Sequence, residues 1–490
     1  MGVDVECPMA ELNEDCLLRI FSFLSVQKRF QLEQVCRYWR ELLRRSFYAA
    51  KSVNVAEFLF ASAPVYRSHY QQDHILLAPS AAALIAHCAP FVHRLSFGHQ
   101  WLKISQPIVD QLASGCPRLT ALDLSGCIVD AEVLPALEQL ALRLRSLNLD
   151  DTTFVCQNSI RDLHLLFYRF VHLKELRLAN AAFPLRRLVD LPEDLQHLNL
   201  AHVRHLPPPV LLEFLQLHHQ LRHLSLANYA CMEQAILAEL ANIPSLSSLE
   251  LSGMESESED QLDLAVLARL PSLSSLKLNQ CKFLTSKCLS RLSESLAPSL
   301  RSLHIDACPR ILDFSPLSAL RGLEELELGH SYQLIDEDLH LLARNGRLRR
   351  LRMSCCPNVT PSGLVPFAKA CPLDQVTLAH CQEMNDSVLL LLAACRRLSL
   401  QSCQITSAGF RTLVSQAGEA VLAMEELDVS YNRLVTDEAV LALYLHFLHS
   451  QPDSDRCDGE EGSRLTLYAH QTNVSDSLLP IVQPFFNLIL

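Results

Sequence analysis

Glycine is scarce in this 490-residue chain (13 residues), aromatics make up only 7%, and basic charge is in deficit, with a formal net charge of −12. The missing basic surplus argues against a nucleic-acid or anionic-lipid footprint, since both need clustered Lys and Arg. No nucleic-acid and no membrane partner is therefore expected. The longest apolar run, SVLLLLAAC at 387–395, falls far short of the roughly 20 residues that span a bilayer. The opening MGVDVECPMAELNED is acidic and carries no apolar signal-peptide core. Glu6 stands where a myristoylation signal after Gly2 wants Ser or Thr, and the ending NLIL carries no prenylation cysteine. The 18 cysteines are then expected as thiols in a reducing setting, cytoplasmic or also nuclear. Catalytic signatures are missing too: the sequence contains no GxxxxGK[ST], HExxH or GxSxG. Neither a catalytic residue, a cofactor nor a metal is expected.

What the chain does have is leucine, about a fifth of all residues, in one recurring phrase. Copies include LTALDLSGC at 119, LRSLNLDDT at 144, LRHLSLANY at 221, LSSLKLNQC at 273, LRRLRMSCC at 348 and MEELDVSYN at 424, with weaker ones at Val92 and near Leu465. The phrase returns every 22 to 29 residues or so and fits the leucine-rich-repeat form LxxLxLxxN/C. Its fourth and sixth positions bury on one side of a short strand while the residues between face solvent. About a dozen residues into each copy a helix-start residue follows: Asp130, Thr285, Asp336, Thr360, Asn385, Thr406 or Thr436. Neither strand nor helix can hide its apolar face alone, so neighbours must stack. The expected class is α/β: a leucine-rich-repeat solenoid, a curved horseshoe with parallel strands inside and helices outside, over 92–490.

Several features fall into place on that frame. Cys127, Cys281, Cys308, Cys356, Cys381 and Cys403 all hold the ninth position, where a small buried group fits the turn leaving the strand. His197 and His223 occupy one position of adjacent repeats, so they can lie side by side as solvated strand histidines, with a zinc or pH-sensing pair as the alternative. Acidic insertions near 254–263 and 451–462 are expected as rim loops, where Ser256 and Ser258 could receive phosphate. The C-terminal LLPIVQPFFNLIL should cap the last repeat, unless Phe485 and Phe486 reach the groove or a partner.

Residues 1–48 are different. LNEDCLLRIFSFL (12–24) has an apolar arc of roughly 220°, far wider than the roughly 100° one packed face needs, so it must meet two surfaces. With its short helices and no strand, the block is too small to be a domain by its own core. The order Leu12, Leu17, Ile20, Phe21, Leu24, then Val35, Cys36 and Trp39 resembles the F-box, and with the repeats behind it the chain resembles the F-box and leucine-rich-repeat proteins. The family usually has proline where this chain has Asn13, a residue able to cap the helix starting near Glu14.

The resemblance implies a non-catalytic substrate-recognition subunit of an SCF-type E3 ubiquitin ligase. It would dock a Skp-type adaptor, and through it a cullin-RING ligase, by Leu12, Asn13, Leu17, Ile20, Phe21, Leu24, Val35 and Trp39. A target protein would sit on the concave repeat face for ubiquitination and proteasomal degradation. The alternative is a repeat scaffold without a ubiquitin outcome. Residues 49–91 would connect the block to the array and form its N-terminal cap. On the concave face, charges alternate between neighbouring repeats: Glu325 and Glu327, then Arg350 and Arg352, then Arg397, then Glu426 and Asp428. In-register stacking would pair Glu325 with Arg350 and Glu327 with Arg352, so part of this candidate target-binding patch should satisfy itself.

Overall fold

The structure, a computed structural model, describes residues 12–24, 26–46, 51–55, 81–82, 84–86, 88–98, 102–130, 133–155, 167–181, 185–254, 262–450, 465–483 and 485–490. Ser256, Ser258, most of the first acidic insertion and all of the second lie outside these residues. The chain divides into two compact units, Met1–Cys231 and Met232–Leu490. Among the described residues no helix is long and apolar enough to cross a membrane.

The first unit opens with three helices, α1 (Glu14–Ser22), α2 (Val26–Leu32) and α3 (Arg37–Ser46). Asn13 does cap α1: its side chain accepts the Cys16 N–H at 2.8 Å, satisfying one of the donors a helix start leaves open. A parallel ladder follows, running through Arg94–Ser96, Ala121–Asp123, Ser146–Asn148, Glu175–Arg177, His197–Asn199 and His223–Ser225. Fourth-position residues align across it, Leu95 with Leu122, Leu122 with Leu147 and Leu147 with Leu176, and all are buried. The ladder begins one strand before Val92, because Ser52–Asn54 pairs with Arg94–Ser96. That strand lies in 49–91, the segment expected to connect and to cap the array.

A second departure concerns Asp130. It lies in the strand Ile128–Asp130 of a small extra parallel sheet, between Lys103–Ile104 and Thr153–Val155. Its carboxylate takes Lys103 Nζ at 3.0 Å rather than capping a helix.

The second unit stacks ten parallel strands in chain order, from Ser248–Glu250 through Glu325–Gly329, Arg350–Ser354 and Glu426–Asp428 to Asn487–Ile489. Most repeats return through a helix, such as Ser286–Leu296, Pro361–Ala370 or Asp437–His449. Two return through 3-10 turns, Leu264–Arg269 and Ser315–Ala319. The repeat architecture is thus the expected leucine-rich-repeat solenoid, with strands and helical returns sharing one leucine core. The C-terminal segment supplies a last strand of the ladder. Phe486 is fully buried beside Phe447 (ring centroids 5.6 Å apart), and Phe485 meets Tyr444 at 5.1 Å; both pack on the helix side of their repeats.

Two column-like devices lock repeat to repeat. The first lies where each strand ends. The eighth residue of the phrase adopts a left-handed backbone in repeat after repeat, among them Asn180, His202, His330, Cys355, His380 and Tyr431, with φ between 49° and 65°. This turns the ninth residue inward, where it donates to the sixth-position carbonyl of the preceding repeat. Cys281 reaches Leu251 O at 3.3 Å, Cys308 reaches Leu278 O at 3.1 Å and Cys403 reaches Leu378 O at 3.5 Å. Thr152 does the same to Leu124 O at 2.9 Å, and Asn432 to Leu400 O at 2.7 Å. These thiols serve backbone satisfaction.

The second device lies at the helix starts. Thr285, Thr360 and Thr406 cap their helices as expected. Asp336 stands one residue inside its helix and instead binds the next repeat's cap, accepting Thr360 N–H at 2.9 Å and Thr360 Oγ1–H at 2.6 Å. Asp386 treats Thr406 alike, at 2.7 and 2.6 Å, and Asp437 treats Ser475 alike, at 2.7 and 2.8 Å. Asn385 stands before the helix Ser387–Leu391 and its side chain accepts the Ser387 N–H at 3.1 Å, whereas the Thr436 side chain accepts no cap bond from its own helix.

Candidate functional site

The N-terminal helices sort their apolar residues into two sets. Leu17 and Phe21 of α1 close a small core with Leu42 and Leu43 of α3, and Leu18, Leu24, Leu32 and Trp39 pack against it half-buried. The Trp39 ring meets Phe21 edge-on, centroids 5.2 Å apart. Of the residues expected to contact an adaptor, Leu17 and Phe21 are therefore spent on the inside, and Leu24 and Trp39 partly so. A helix this short cannot bury every apolar residue on one neighbour, and from α1 the core takes Leu17 and Phe21.

What remains outside is a different set: Leu12, Ile20 and Val35 from those residues, together with Phe23 and Tyr38. Phe23 is 76% exposed, Val35 60% and Ile20 39%. Phe23 lies just past α1 as its C-cap, with the Arg19 guanidinium 5.2 Å above its ring. Its position to one side of the main apolar stripe was the available signal. Arg29 fixes this corner. Its guanidinium donates to Leu24 O at 2.9 Å and to Ser22 O at 2.8 Å, filling carbonyls that the end of α1 leaves open. Arg45 ties α3 to α1 through Glu14 at 2.7 Å. The apolar set is thus displayed on a braced frame.

The strand face of the second unit carries the alternating charges in the expected register, Glu325 opposite Arg350, Glu327 opposite Arg352 and Arg397 opposite Glu426. Only the first of these register pairs forms an ion pair, Arg350 Nη2 to Glu325 Oε2 at 2.8 Å. Glu327 turns to the other side, where His304 Nδ1 meets it at 2.8 Å. That is a correction to its expected pairing with Arg352: an imidazole on a shorter, stiffer stem holds the carboxylate first. Arg397 likewise bypasses Glu426 for Glu425, at 3.3 Å.

Burial works against ionising Glu325, but the hydrogen bond and charge of Arg350, with His304 and Ser302, outweigh it and hold the carboxyl below its usual value. The hydrogen bond from His304 does the same for Glu327 against its own burial. Asp428 accepts Gln401 Nε2–H at 2.5 Å and Ser430 N–H at 2.9 Å. It also lines a recess of about 150 Å³ with Arg397, Glu426 and Tyr468.

A second recess, about 580 Å³, opens where the strands end and is lined by His330, Tyr332, Cys355, Pro357 and His380 among others. His330, Cys355 and His380 are eighth-position residues of three successive repeats. They lie 25 residues apart in sequence and meet only through stacking, so no local motif marks them. His330 Nδ1 is held at 2.8 Å by Asp306.

In the first unit His197 and His223 do lie side by side, rings stacked at 4.3 Å and 12° apart. Burial, and then the neighbouring ring, lowers the His223 pKa. Among the described residues no three His, Cys, Asp or Glu side chains gather as a metal site. The ninth-position thiols Cys281, Cys308 and Cys403 are poor nucleophiles, since burial pushes Cys281 and Cys403 up to about 12 and Cys308 to about 11, far from the thiolate a covalent acceptor needs, whereas the Cys381 thiol is lowered to about 7 by its hydrogen bond with Cys356.

Comparison with known proteins agrees with the two-part organisation. Residues 12–51 match the F-box-like family model and residues 424–443 match the Leucine Rich repeat model. The chain is an F-box-like module followed by leucine-rich repeats, an architecture typical of non-catalytic adaptor and receptor proteins. No curated protein matches the chain. Among solved structures, it is similar to a chain of the yeast Rad7 and Elc1 complex, at 15% identity over 90% of this chain and 98% of that one, with a TM-score of 0.42. An internalin (inlF) from Listeria monocytogenes is similar at 15% identity, 85% and 92% coverage and a TM-score of 0.35. TLR13 in its complex with ssRNA13 is similar at 16% identity, 83% and 53% coverage and a TM-score of 0.46.

Proposed function

We propose that this chain is the substrate-recognition subunit of an SCF-type E3 ubiquitin ligase, joined to a Skp-type adaptor by its N-terminal helices and to a target protein by its strand face. The observation that carries the reading is the exposed set Leu12, Ile20, Phe23, Val35 and Tyr38 on a module whose own core closes without them. Large apolar anchors of this kind dominate the energy of protein interfaces. Ubiquitin chemistry belongs to other subunits. This chain contributes position, holding a target's lysines near the conjugating enzyme at high effective concentration, in the cytoplasm or nucleus, and the target is then degraded by the proteasome.

The test is co-purification of a Skp-type adaptor with the full chain and with Ile20→Asp/Phe23→Asp. Both side chains are exposed, so the double variant should fold and lose the adaptor. Adaptor retained at wild-type level would remove the docking assignment. The scaffold alternative is separated by target lifetime. A captured target that outlives control when residues 1–48 are deleted marks a degradation receptor, and an unchanged lifetime marks a scaffold.

A further inference from the structure

Contacts between the strand-face charges in the second unit leave a remainder. The Arg350–Glu325 and Arg397–Glu425 ion pairs and the His304–Glu327 hydrogen bond occupy most of the charged side chains between the strands Ser302–Asp306 and Glu426–Asp428. Arg352 is left beside a carboxylate already held by His304, and Glu426 beside a guanidinium already held by Glu425. Both are exposed, and among the described residues neither closes an ion pair. They stand on one face of one sheet, Arg352 on the strand Arg350–Ser354 and Glu426 three strands further on. The surface between them is uncharged apart from Arg397, with Gln375, Thr377 and Ser399 facing outward.

The two ends differ in shape. At the Glu426 end lies the 150 Å³ recess, walled by Arg397, Glu426, Asp428 and Tyr468. That volume is below the roughly 300 Å³ at which small-molecule pockets begin, but it admits the tip of one long side chain. With Arg397 drawn to Glu425, two carboxylates and a phenol ring leave the lining net negative and favour a cation, since a guanidinium or ammonium gains from both the charge and the ring face. Asp428 is pre-set for the task by Gln401 and Ser430. The Arg352 end is an open guanidinium, suited to a carboxylate.

Spacing then fixes the ligand. Three strand separations of about 4.8 Å each, with the two-residue register offset between Arg352 and Glu426, put the ends about 16 Å apart. An extended peptide advances about 3.4 Å per residue and turns alternate side chains to the same side. Side chains four residues apart therefore face the sheet together about 14 Å apart, whereas spacings of two or six residues give about 7 and 20 Å. We infer that the strand face of the second unit recognises an extended segment carrying one acidic and one basic side chain four residues apart, with the basic side chain entering the Glu426–Asp428–Tyr468 recess. The inference rests on the proposed role of this face in target binding and names the class of segment it takes.

The test uses the full chain and synthetic peptides with blocked ends and an uncharged dye. Each has a Ser/Thr host bearing one Glu and one Arg separated by two, four, six or eight residues, and binding is followed by fluorescence anisotropy at low salt. Four-residue spacing should bind at least fivefold more tightly than the others. Arg352→Glu or Glu426→Arg alone should erase that advantage, and the double exchange should restore it, because the peptide can then lie the other way round. Equal affinity at every spacing, binding at none, or a double variant as weak as the singles overturns the inference. Adaptor co-purification, which these substitutions leave unchanged, reports separately on the ligase reading; spacing-blind binding lost in the variants would keep the face as a docking surface while discarding the four-residue rule.

Discussion

Ile20 and Phe23 stand bare on helices whose core is complete without them, whereas Glu325 and Arg350 meet each other across a strand spacing and need nothing from outside. The first surface offers uncompensated apolar area, which gives affinity to any partner that covers it. The second offers charges already neutralised in place, so a partner gains only from the few left over and from matching their pattern. Under the proposed function, the first surface suits a constant attachment and the second a choice among partners. That contrast makes the two separable by substitution, by salt and by pH.

The largest expected effect separates display from core within the N-terminal module itself. Phe21→Ala removes a fully buried ring and should cost about 3–5 kcal/mol, melting the three helices in thermal unfolding. Phe23→Ala should leave the melting curve in place and weaken adaptor binding at least tenfold. If both variants behave alike, the division into inner and outer sets is wrong.

Next come the repeat-to-repeat locks, which have no counterpart in the N-terminal helices. Asn432→Ala deletes an amide that serves both Leu400 O and Val429 O, and should cost about 2 kcal/mol by leaving buried carbonyls open. Gly409→Ala should also cost about 1–3 kcal/mol by overpacking, because a Cβ there would meet the Asp386 carboxylate at 2.6 Å. Calorimetry of each variant against wild type checks both, and a reduced cost of Gly409→Ala in an Asp386→Ala background would confirm the cause.

A smaller effect concerns acid. Glu327 is held below its ordinary value of 4.5 by its hydrogen bond to His304. Its contribution to stability is therefore complete above about that pH, where the unfolded carboxyl is also ionised, and is lost as pH falls through the lower folded value. Glu327→Gln should narrow the gap between the melting temperatures at pH 6 and pH 3. Smallest is Arg350→Ala. The pair it breaks is half exposed, so the expected loss is below about 1 kcal/mol and fades with added salt, while adaptor attachment by the apolar helices should be insensitive to salt.

The repeats were legible because their period is enforced by burial: a leucine moved by one position faces water, so the phrase survives at Leu122, Leu224 and Leu351 alike. Its ends were less so. Ser52–Asn54 joins the ladder with Val53, and Val55 just after it, in place of the phrase's leucines, and Asn487–Ile489 joins with Leu488 where the sequence ends after Leu490. Within the N-terminal block, the motif gave the residue types but not which way each faced, because Leu17 and Ile20 are equally apolar and only α3 decides between them. Strand register was readable from the phrase, whereas the choice of Glu327 for His304 over Arg352 depends on side-chain reach on either flank, which spacing does not encode. Asp336 shows the same limit at the helix starts: a residue suited to cap its own helix serves the next repeat instead.

The left-handed residue at the end of each strand has a consequence for how this molecule can change. The geometry is demanded of the main chain alone, and Asp, Asn, His, Gln, Ala, Cys, Ser and Tyr all occupy it, while leucine and thiol beneath stay fixed by close packing. Each such position is a signpost whose lettering can be repainted without disturbing the post. Novelty at that edge therefore costs about the strain of one residue at a time, and a new preference could arise there by single substitutions while the scaffold keeps its melting point.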